Sequence, residues 1–326
     1  MTEPALRVEH LRTHFFTRQG VVKAVEDVDF SVDPGKILGL VGESGSGKSM
    51  IAYSIMGLVD PPGRVVAGRI LLGGRDLRTL TPEEMRRVRG KRIAMIFQDP
   101  MLTLNPVLRI DTQMIEAIQA HADVSRGAAL ERAREALSRV GIAAPEERLY
   151  AYPHQFSGGM RQRVAIAIAL LNQPDLIIAD EPTTALDVTI QGQILYEVQK
   201  LARESGTALI WISHDLSVIA GLADDIAVMY AGRIVEQGSV DQVLDAPLHP
   251  YTQGLIASVP SRGRRGEPLR QIPGMTPSLL DLAPGCAFRE RCARADAACA
   301  KNPAWSSFAA GRQVRCFHPL TQDETA

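Results

Sequence analysis

A chain of 326 residues with 45% hydrophobic and 22% charged residues suits one large globular domain with an appendage, and its net charge of -1 gives no electrostatic argument for binding nucleic acid. No apolar run reaches the roughly 20 residues of a membrane-spanning helix, and the first residues lack the basic and apolar segments of a secretory signal. We therefore expect a cytoplasmic protein that reaches a membrane only through a partner protein.

Short strands are the first elements predicted, between residues 6 and 40. Val28, Phe30 and Val32 alternate as in a half-buried strand, and a turn follows at residues 33–35. Residues 37–41 form an apolar strand of the kind that parallel sheets bury on both faces. The strand leads into a glycine-rich loop and then a helix over residues 50–57, which is the order that a phosphate-binding loop requires.

Helical spacing replaces the strand pattern between about residues 99 and 165, which predicts a helical insertion. Strands return at residues 176–179 and 208–212, and a hairpin is predicted at 226–237. Recurrent prolines after Leu244 indicate an extended C-terminal appendage. We expect an α/β fold with one domain at 1–245, a helical subdomain at about 99–165 and an extension at 246–326.

The glycine-rich loop fits the pattern G-x-x-x-x-G-K-[ST], in which glycines let backbone N–H groups surround a polyanion at a helix N-terminus. Lys48 would reach the β- and γ-phosphates, and the Ser49 hydroxyl would ligate Mg²⁺. Average residue usage gives the pattern by chance in about one chain in a hundred, and the flanking strand and helix make chance less plausible. The predicted nucleotide-binding residues are Gly42, Glu43, Ser44, Gly45, Ser46, Gly47, Lys48 and Ser49.

Two acids end the predicted strand at 176–179, and they would lie at the carboxyl edge of the sheet. Asp180 would hold the Mg²⁺ shell, and Glu181 would accept a proton from the water that attacks the γ-phosphate. An apolar strand ending in acids is a weak signal alone, because solvated acids also end strands. Its combination with the phosphate loop makes it strong.

A second anion-binding turn is indicated by F-S-G-G-M-R-Q-R at residues 156–163. Ser157, Gly158 and Gly159 precede a predicted helix, where an ordinary N-cap would also explain them. Gln98 follows an apolar run, Asp187 stands in the segment A-L-D, and His214 follows a strand. This ordered set, over about residues 6–240, resembles the ABC ATPases.

The resemblance implies a P-loop NTPase cassette with a RecA-like core, an antiparallel β subdomain and a helical insertion. It implies that two subunits pair head to tail, so that Ser157, Gly158 and Gly159 of one grip the γ-phosphate of ATP on the other. In this family the Ser-Gly-Gly turn, called the signature turn, does not bind the nucleotide of its own subunit.

The same resemblance assigns roles to the remaining motif residues. Gln98 would touch Mg²⁺ and water and sense the membrane domain, Asp187 would couple the two subunits, and His214 would contact the γ-phosphate. An aromatic side chain stacks on adenine in this family; Phe15 occupies that place, and the neighbouring Phe16 could serve instead.

Three further segments resemble the dipeptide and oligopeptide importer branch: residues 99–106 (D-P-M-L-T-L-N-P), 152–160 (Y-P-H-Q-F-S-G-G-M) and 249–252 (H-P-Y-T). The branch implies import of peptides by a complex at the cytoplasmic face of the inner membrane. Its partners would be a related ATPase, giving a heterodimer, two membrane permeases and an extracytoplasmic binding protein. The H-P-Y segment could equally be only a turn packed on the core.

The cysteines all lie in the extension, at Cys286, Cys292, Cys299 and Cys316. In a reducing compartment such a group indicates metal or cluster ligation more than disulfides, and the spacing alone does not distinguish iron from zinc or from free thiols. The resemblance implies a [4Fe-4S] cluster at these four positions. Clamping a proline-rich tail is the plainer role for it.

Rival interpretations remain at this stage. A soluble ABC protein of DNA repair or translation would carry a coiled-coil insertion or two cassettes, and this chain has neither. A regulatory subunit without turnover is disfavoured by the intact Lys48, Asp180, Glu181 and His214. Nickel or glutathione, the cargoes of close relatives of the branch, stay open because other subunits select the cargo.

Overall fold

The structure is a computed structural model that describes residues 3–99, 103–183, 188–259, 271–280 and 282–321. Within these residues, none of the helices combines the length and the apolar character needed to cross a membrane. The strands, in chain order, are β1 Leu6–Thr17, β2 Gly20–Val32, β3 Ile37–Val41, β4 Gly63–Leu72, β5 Arg75–Asp76, β6 Ile93–Ile96, β7 Leu176–Asp180, β8 Ala208–Ser213, β9 Asp225–Tyr230, β10 Arg233–Ser239, β11 Ser306–Ser307 and β12 Gln313–Val314.

The α-helices lie between strands in parts of the described chain and follow one another without an intervening strand from residue 110 to residue 170. In chain order they are α1 Lys48–Met56, α2 Pro82–Val88, α3 Ile110–Gln119, α4 Arg126–Arg139, α5 Pro145–Arg148, α6 Gly158–Leu170, α7 Val188–Ser205, α8 Leu216–Leu222, α9 Val240–Asp245 and α10 Pro250–Ala257. The chain forms two compact units, the first from residues 1–6, 32–36 and 79–210 and the second from residues 7–31, 37–78 and 211–326.

The first unit combines parallel strands with a helical layer. Strand β6 lies parallel to β7, with Ile93 opposite Leu176, and every residue of both strands is buried. Helix α4 packs against α3 and α6. It forms at this place because Ser125 caps its N-terminus and because Ala129, Ala133 and Leu137, four residues apart, make one fully buried stripe.

The second unit contains two groups of strands. One is a sheet with the order β2-β1-β4-β5; the other runs β11-β12-β10-β9-β3. Strand β3 lies parallel to β9, and β9 and β10 form an antiparallel hairpin through Ala231 and Gly232. The five residues of β3 are all buried, and the chain leaves this strand directly into the glycine-rich loop and α1.

The C-terminal region is joined to β10 by backbone pairing and by a buried carboxylate. Strand β12 lies antiparallel to β10, with Val314 opposite Glu236. The Glu236 side chain, 0% exposed, accepts hydrogen bonds from the N–H groups of Leu248 and His249 and from the Arg312 guanidinium at 2.7 Å. A buried carboxylate is stable only with such a full set of donors.

The strands predicted at residues 37–41, 176–179 and 208–212 and the hairpin at 226–237 are confirmed. The helix predicted from Met50 begins at Lys48, because Gly47 takes a left-handed conformation and forms the N-cap. Strand β4 and helix α7 were not predicted. The appendage, expected to be extended, includes helix α10 and the short strands β11 and β12; the limits of the domains stay a prediction.

Candidate functional site

The phosphate loop predicted at residues 42–49 closes on itself within the second unit. The Lys48 ammonium donates hydrogen bonds to the carbonyl oxygens of Gly42 at 2.8 Å and Glu43 at 3.0 Å. The Ser46 N–H donates to the Glu43 carbonyl at 3.2 Å, and the Ser46 carbonyl accepts from the Gly232 N–H at 2.9 Å. These bonds hold the loop in a compact curl ahead of α1.

Two glycines of the loop stand where no other residue fits. A Cβ on Gly42 would lie 2.2 Å from the Met229 carbonyl oxygen, and one on Gly47 would lie 2.2 Å from that of Ala24. Both residues have positive φ, of 153° and 104°. The sequence pattern therefore reflects a steric requirement, since these backbone positions leave no room for a side chain.

The loop also has the electrostatics of an anion site. Helix α1 begins at Lys48 with no side-chain cap, and its first turn contains no acidic residue, so its N-terminal N–H groups keep their partial positive charge. Among the described residues, the buried Ser46 hydroxyl has no hydrogen-bond partner. Ser44 and Gly45 are exposed, which leaves one side of the loop open to a ligand. The geometry fits a polyphosphate.

Glu43 has partners that the sequence did not indicate. The Arg291 guanidinium forms a two-pronged ion pair with its carboxylate, at 2.7 and 3.0 Å, and the Thr276 hydroxyl donates to the same carboxylate at 2.9 Å. The Glu43 N–H donates to the Tyr251 hydroxyl at 2.9 Å. Hydrogen bonds from Arg291, more than any other influence, lower the pKa of Glu43, so this carboxyl is ionised at neutral pH.

The two acids at the end of β7 lie in the first unit with the predicted glutamine. Asp180 is buried at the end of the strand, and Glu181 follows it with a φ of 46°, a left-handed conformation that turns the chain out of the sheet. The Gln98 amide donates a hydrogen bond to the Glu181 carboxylate at 3.3 Å. Because strain of this kind tends to occur at functional sites, the turn supports a working role for Glu181.

The predicted signature turn is an exposed helix N-terminus, also in the first unit. Ser157 is the N-cap of α6, and its hydroxyl accepts the N–H of Met160 at 3.3 Å. Ser157 and Gly158 are exposed, Gly159 is half-buried, and the first turn has no acidic residue. A Cβ on Gly158 would meet nothing within 4 Å among the described atoms. The turn offers N–H groups to an anion that arrives from outside.

The remaining predicted residues are placed as follows. His214 is exposed directly after β8, in the second unit. Phe15 is half-buried beside Gly63, while Phe16 is 40% exposed and carries the Arg64 guanidinium 4.4 Å from its ring centroid. Asp187 lies outside the described residues. The second unit thus holds the phosphate loop, His214 and both aromatic candidates, and the first holds Gln98, the signature turn and the acid pair.

The four cysteines are all free thiols. The Cys286 N–H donates to the Cys299 carbonyl at 2.9 Å, and the His318 N–H donates to the Cys316 sulfur at 3.3 Å. Burial raises the pKa of Cys286 and raises that of Cys316 to about 11, and the neighbouring cysteines add smaller increases. Cys292 and Cys299 affect both of these thiols electrostatically, so the four lie in one neighbourhood.

One of these thiols, Cys299, belongs to a close group of metal-ligating atoms. The described residues contain two sets whose ligand atoms all lie within 4.8 Å of one another, one formed by Asp296, Cys299 and His318. The other set is His10, Asp27 and Asp29. The sulfur atoms of the four cysteines do not form such a set, and a set of this size is the arrangement that suits a single ion. A cluster of several irons holds its thiolates farther apart than a single ion does.

Each of these groups, taken by itself, is of a kind that serves phosphoryl transfer to water. A loop of N–H groups with a lysine can neutralise a polyphosphate, a hydroxyl and a carboxylate can bind a divalent cation, and a strand-end glutamate can take a proton. A second helix N-terminus adds another place for negative charge. Catalysis of this type depends on positioning and electrostatics more than on covalent steps.

Comparisons with known proteins agree with this chemistry. Residues 25–184 match the family described as ABC transporter, and residues 235–299 match the oligopeptide/dipeptide transporter C-terminal region. The chain is 46% identical over 317 residues to the oligopeptide transport ATP-binding protein OppD of Escherichia coli, covering 97% of this chain and 94% of that protein. It is 45% identical over 316 residues to the dipeptide transport ATP-binding protein DppD of the same organism, covering 97% of each.

Solved structures show the same fold. A dimeric post-hydrolysis state of the ATP-binding cassette MJ0796, bound to ADP and Pi, matches with a TM-score of 0.66 at 26% identity. The match covers 72% of this chain and 98% of that cassette. The α/β cassette predicted from the sequence is therefore confirmed.

Proposed function

Because this chain belongs to the ABC transporter family of ATP-binding proteins, we propose that it hydrolyses ATP to ADP and phosphate to power peptide import by a membrane transporter. The observation that carries the proposal is a phosphate loop closed by Lys48 and crowded glycines, in a chain that also has a strand-end acid pair. Peptides as cargo are supported by the relatives OppD and DppD, whose names state oligopeptide and dipeptide transport.

The phosphate loop binds the nucleotide. Lys48, which donates to two loop carbonyls in this structure, would exchange those bonds for the β- and γ-phosphates of ATP. N–H groups of residues 44–49 would surround the same phosphates at the start of α1. Phe15, half-buried beside Gly63, is our candidate for stacking on adenine, since one face of the Phe16 ring already carries Arg64.

The Ser49 hydroxyl, the Asp180 carboxylate and the Gln98 amide are the donor set that would hold Mg²⁺, which would supply positive charge to the bound polyphosphate. Oxygen donors of this kind suit a hard divalent cation. Glu181 would take a proton from the attacking water, and the Gln98 amide, which donates to Glu181 at 3.3 Å, would orient that carboxylate. His214 would contact the γ-phosphate from its exposed position after β8.

The open signature turn supports pairing with a second ATPase subunit. Ser157, Gly158 and Gly159 present an exposed helix N-terminus, which suits the γ-phosphate of a nucleotide held by a partner. We propose a head-to-tail pair with a related ATPase, in which Asp187 couples the two subunits. Two permeases and an extracytoplasmic binding protein would complete the transporter, with this chain at the cytoplasmic face of the inner membrane.

The extension would hold a [4Fe-4S] cluster on Cys286, Cys292, Cys299 and Cys316. Support comes from the four free thiols in one neighbourhood, with the backbone hydrogen bond between Cys286 and Cys299. The neighbouring Asp296, Cys299 and His318 would suit a single ion such as zinc instead. Iron and sulfide analysis with a visible absorption spectrum of anaerobically purified protein separates them: zinc without iron would exclude the cluster.

Glu181→Gln tests the enzymatic part of the proposal. The amide keeps the shape of the side chain but takes up no proton, so turnover falls by about a hundredfold or more while ATP affinity is retained. Phosphate release and the Kd for ATP are the two measurements. Glu83→Gln, on an exposed face of α2, is the matched control and retains turnover. Wild-type turnover in Glu181→Gln would remove this residue from the mechanism.

Uptake by the complete transporter tests the cargo. Vesicles that contain this chain, its partner ATPase, both permeases and the binding protein should accumulate a labelled dipeptide or oligopeptide when ATP is supplied on the cytoplasmic side. Glu181→Gln should stop this uptake. Accumulation of nickel or glutathione in place of the peptide would leave the ATPase assignment intact and change the cargo.

A further inference from the structure

The C-terminal region grips one residue of the phosphate loop from two sides. Arg291 and Thr276 bind the Glu43 carboxylate, and the hydroxyl of Tyr251, a fully buried residue, accepts the Glu43 N–H at 2.9 Å. We infer that Arg291 is a positioning residue for nucleotide binding, which acts on the phosphate loop through Glu43. This inference rests on the proposed binding of ATP at the loop.

Arg291 is itself held rigidly. Its side chain is only 6% exposed, its Nε donates to the Pro273 carbonyl at 2.8 Å, and its Nη1 also donates to the Tyr230 hydroxyl at 3.3 Å. The guanidinium carbon lies 5.8 Å from the centroid of the Tyr230 ring and 5.9 Å from that of Phe288. A planar fork fixed in this way meets both carboxylate oxygens of Glu43 without further ordering, so little entropy is lost in forming the pair.

Charge gives the contact a consequence for ligand binding. Glu43 is a negative residue inside a loop whose other features all favour an anion. The Glu43 carbonyl accepts from Lys48, so the carboxylate belongs to the same turn as the phosphate-binding lysine. Without Arg291 the Glu43 carboxylate, whose side chain is 26% exposed, would repel the polyphosphate at short range and would also be free to move. Arg291 removes the repulsion and fixes the turn.

Two other arginines of the C-terminal region form ion pairs with residues outside the phosphate loop. Arg312 pairs with Glu236 at 2.7 Å, and Arg315 pairs with Asp27 at 3.0 Å. Both join the C-terminal region to other parts of the second unit, and neither pairs with a residue of the phosphate loop. Arg291 directly precedes Cys292, so the segment that carries the thiols is also the segment that presents the guanidinium to the loop.

Removing the charge at each end of the ion pair separates a positioning role of Arg291 from a role in general stability. Arg291→Met should raise the Kd for Mg-ATP by about tenfold, because it leaves an unpaired carboxylate at the loop. In the Glu43→Gln background, which lacks the repelling charge, adding Arg291→Met should change the Kd by less than about threefold. The double variant should therefore recover affinity relative to Arg291→Met alone. Equilibrium fluorescence titration of the full chain with a labelled ATP analogue measures all of these.

Controls make each outcome decisive. Arg315→Met breaks an ion pair of the same region away from the loop and should leave the Kd unchanged. Thr276→Val, at a half-exposed site, removes one donor to Glu43 without loss of shape and should raise the Kd by about threefold. It keeps the test available if Arg291→Met does not fold, and an unchanged Kd in Thr276→Val would then overturn the inference.

Three results contradict the inference while wild-type binding stands: an unchanged Kd in folded Arg291→Met, no recovery in the double variant, or an equal loss in Arg315→Met. Failure of the wild-type chain to bind Mg-ATP would overturn the proposed function, and the inference with it. Because the wild-type titration is made first, the two failures are distinguished by the same experiment.

Discussion

Two helix N-termini of this chain are suited to anions, and they differ in how complete they are. The phosphate loop before α1 is closed by Lys48, and a Cβ on Gly42 or Gly47 would lie 2.2 Å from a carbonyl oxygen. The signature turn before α6 has Ser157 as an ordinary N-cap, and a Cβ on Gly158 would meet no described atom within 4 Å. Neither helix has an acid in its first turn.

The difference teaches that similar local chemistry can serve as a whole site or as half of one. The phosphate loop has its walls within its own unit, including Tyr251 and Arg291 from the C-terminal region. The signature turn is open to solvent, as a surface that a partner completes would be. Substitutions in the first should therefore affect nucleotide binding by the isolated chain, and those in the second only turnover by the assembled pair.

Gly47→Ala should have the largest effect. Its Cβ would lie 2.2 Å from the Ala24 carbonyl oxygen at a φ of 104°, so the loop must open and both ATP affinity and turnover fall by about a hundredfold or more. Gly206→Ala is the matched control, because Gly206 also has positive φ but faces open space among the described atoms. Equal loss of affinity in both variants would show that strain alone, not the loop, is responsible.

Gly158→Asp should reduce turnover of the assembled ATPase pair by about a hundredfold, because a carboxylate would occupy the place of the phosphate. The Kd of the isolated chain for ATP should not change. An acid at a helix N-terminus should leave the free energy of unfolding unchanged or raise it by about 0.3–1 kcal/mol. A stable variant with full turnover would show that the second helix terminus has no part in hydrolysis.

Ser157→Ala should have a smaller effect and separate capping from catalysis. Ser125 caps α4 in the same way, accepting an N–H at 3.2 Å where Ser157 accepts one at 3.3 Å. Both alanine variants should lose about 1 kcal/mol of stability in urea unfolding. Only Ser157→Ala should lose turnover, by about tenfold. Equal turnover in the two variants would reduce Ser157 to a cap.

Acid should slightly lower the free energy of unfolding through His249, which holds the backbone of Tyr251 beside the phosphate loop. His249 Nδ1 accepts the Tyr251 N–H at 3.0 Å, and burial lowers the pKa of His249 from 6.5 to about 3. The unfolded chain binds a proton below its pKa of 6.5 and the folded chain does not, so this stabilisation is complete above 6.5 and is lost as the pH falls. The Glu236 carboxylate accepts the N–H of His249, and its charge is already paired with Arg312.

The expected loss is about 0.7 kcal/mol in the free energy of unfolding between about pH 7 and pH 6. Urea unfolding of wild type and of His249→Gln, which accepts the same N–H without titrating, measures it. The variant should lack this share of the pH dependence. Parallel pH profiles in the two proteins would contradict a neutral, buried His249.

The sequence predicted the parts of this molecule that local pattern determines. Strands β3 and β7 are buried throughout, so their apolar runs were sufficient, and the phosphate loop follows from a steric pattern of glycines. Strands β11 and β12 have two residues each and exist through pairing, β12 with β10 and β11 with β12, which leaves no periodic signal. Helix α1 begins earlier than predicted because the left-handed conformation of Gly47 sets the start of the helix, whereas the prediction relied on the apolar spacing of the helix.

The residues that support the loop could not be predicted in this way. Glu43 and Arg291 are 248 positions apart, and Glu43 and Tyr251 are 208 apart, so no local pattern connects them. Glu43 was identified only as a member of the phosphate loop, and its side chain proves to hold the C-terminal region. The H-P-Y segment, expected as a possible packed turn, is the start of α10 and places the Tyr251 hydroxyl on the loop.

Protection of position 158 in the assembled transporter most directly tests whether a nucleotide is held between the two ATPase subunits. Gly158→Cys, combined with Glu181→Gln to prevent hydrolysis, would be treated with a maleimide, and labelling at position 158 would be followed by mass spectrometry. The exposed turn should label readily without nucleotide or with ADP, and Mg-ATP should protect it, because a partner's nucleotide then covers it. Equal labelling in all three conditions, with ATP binding demonstrated, would contradict a nucleotide held between the two subunits.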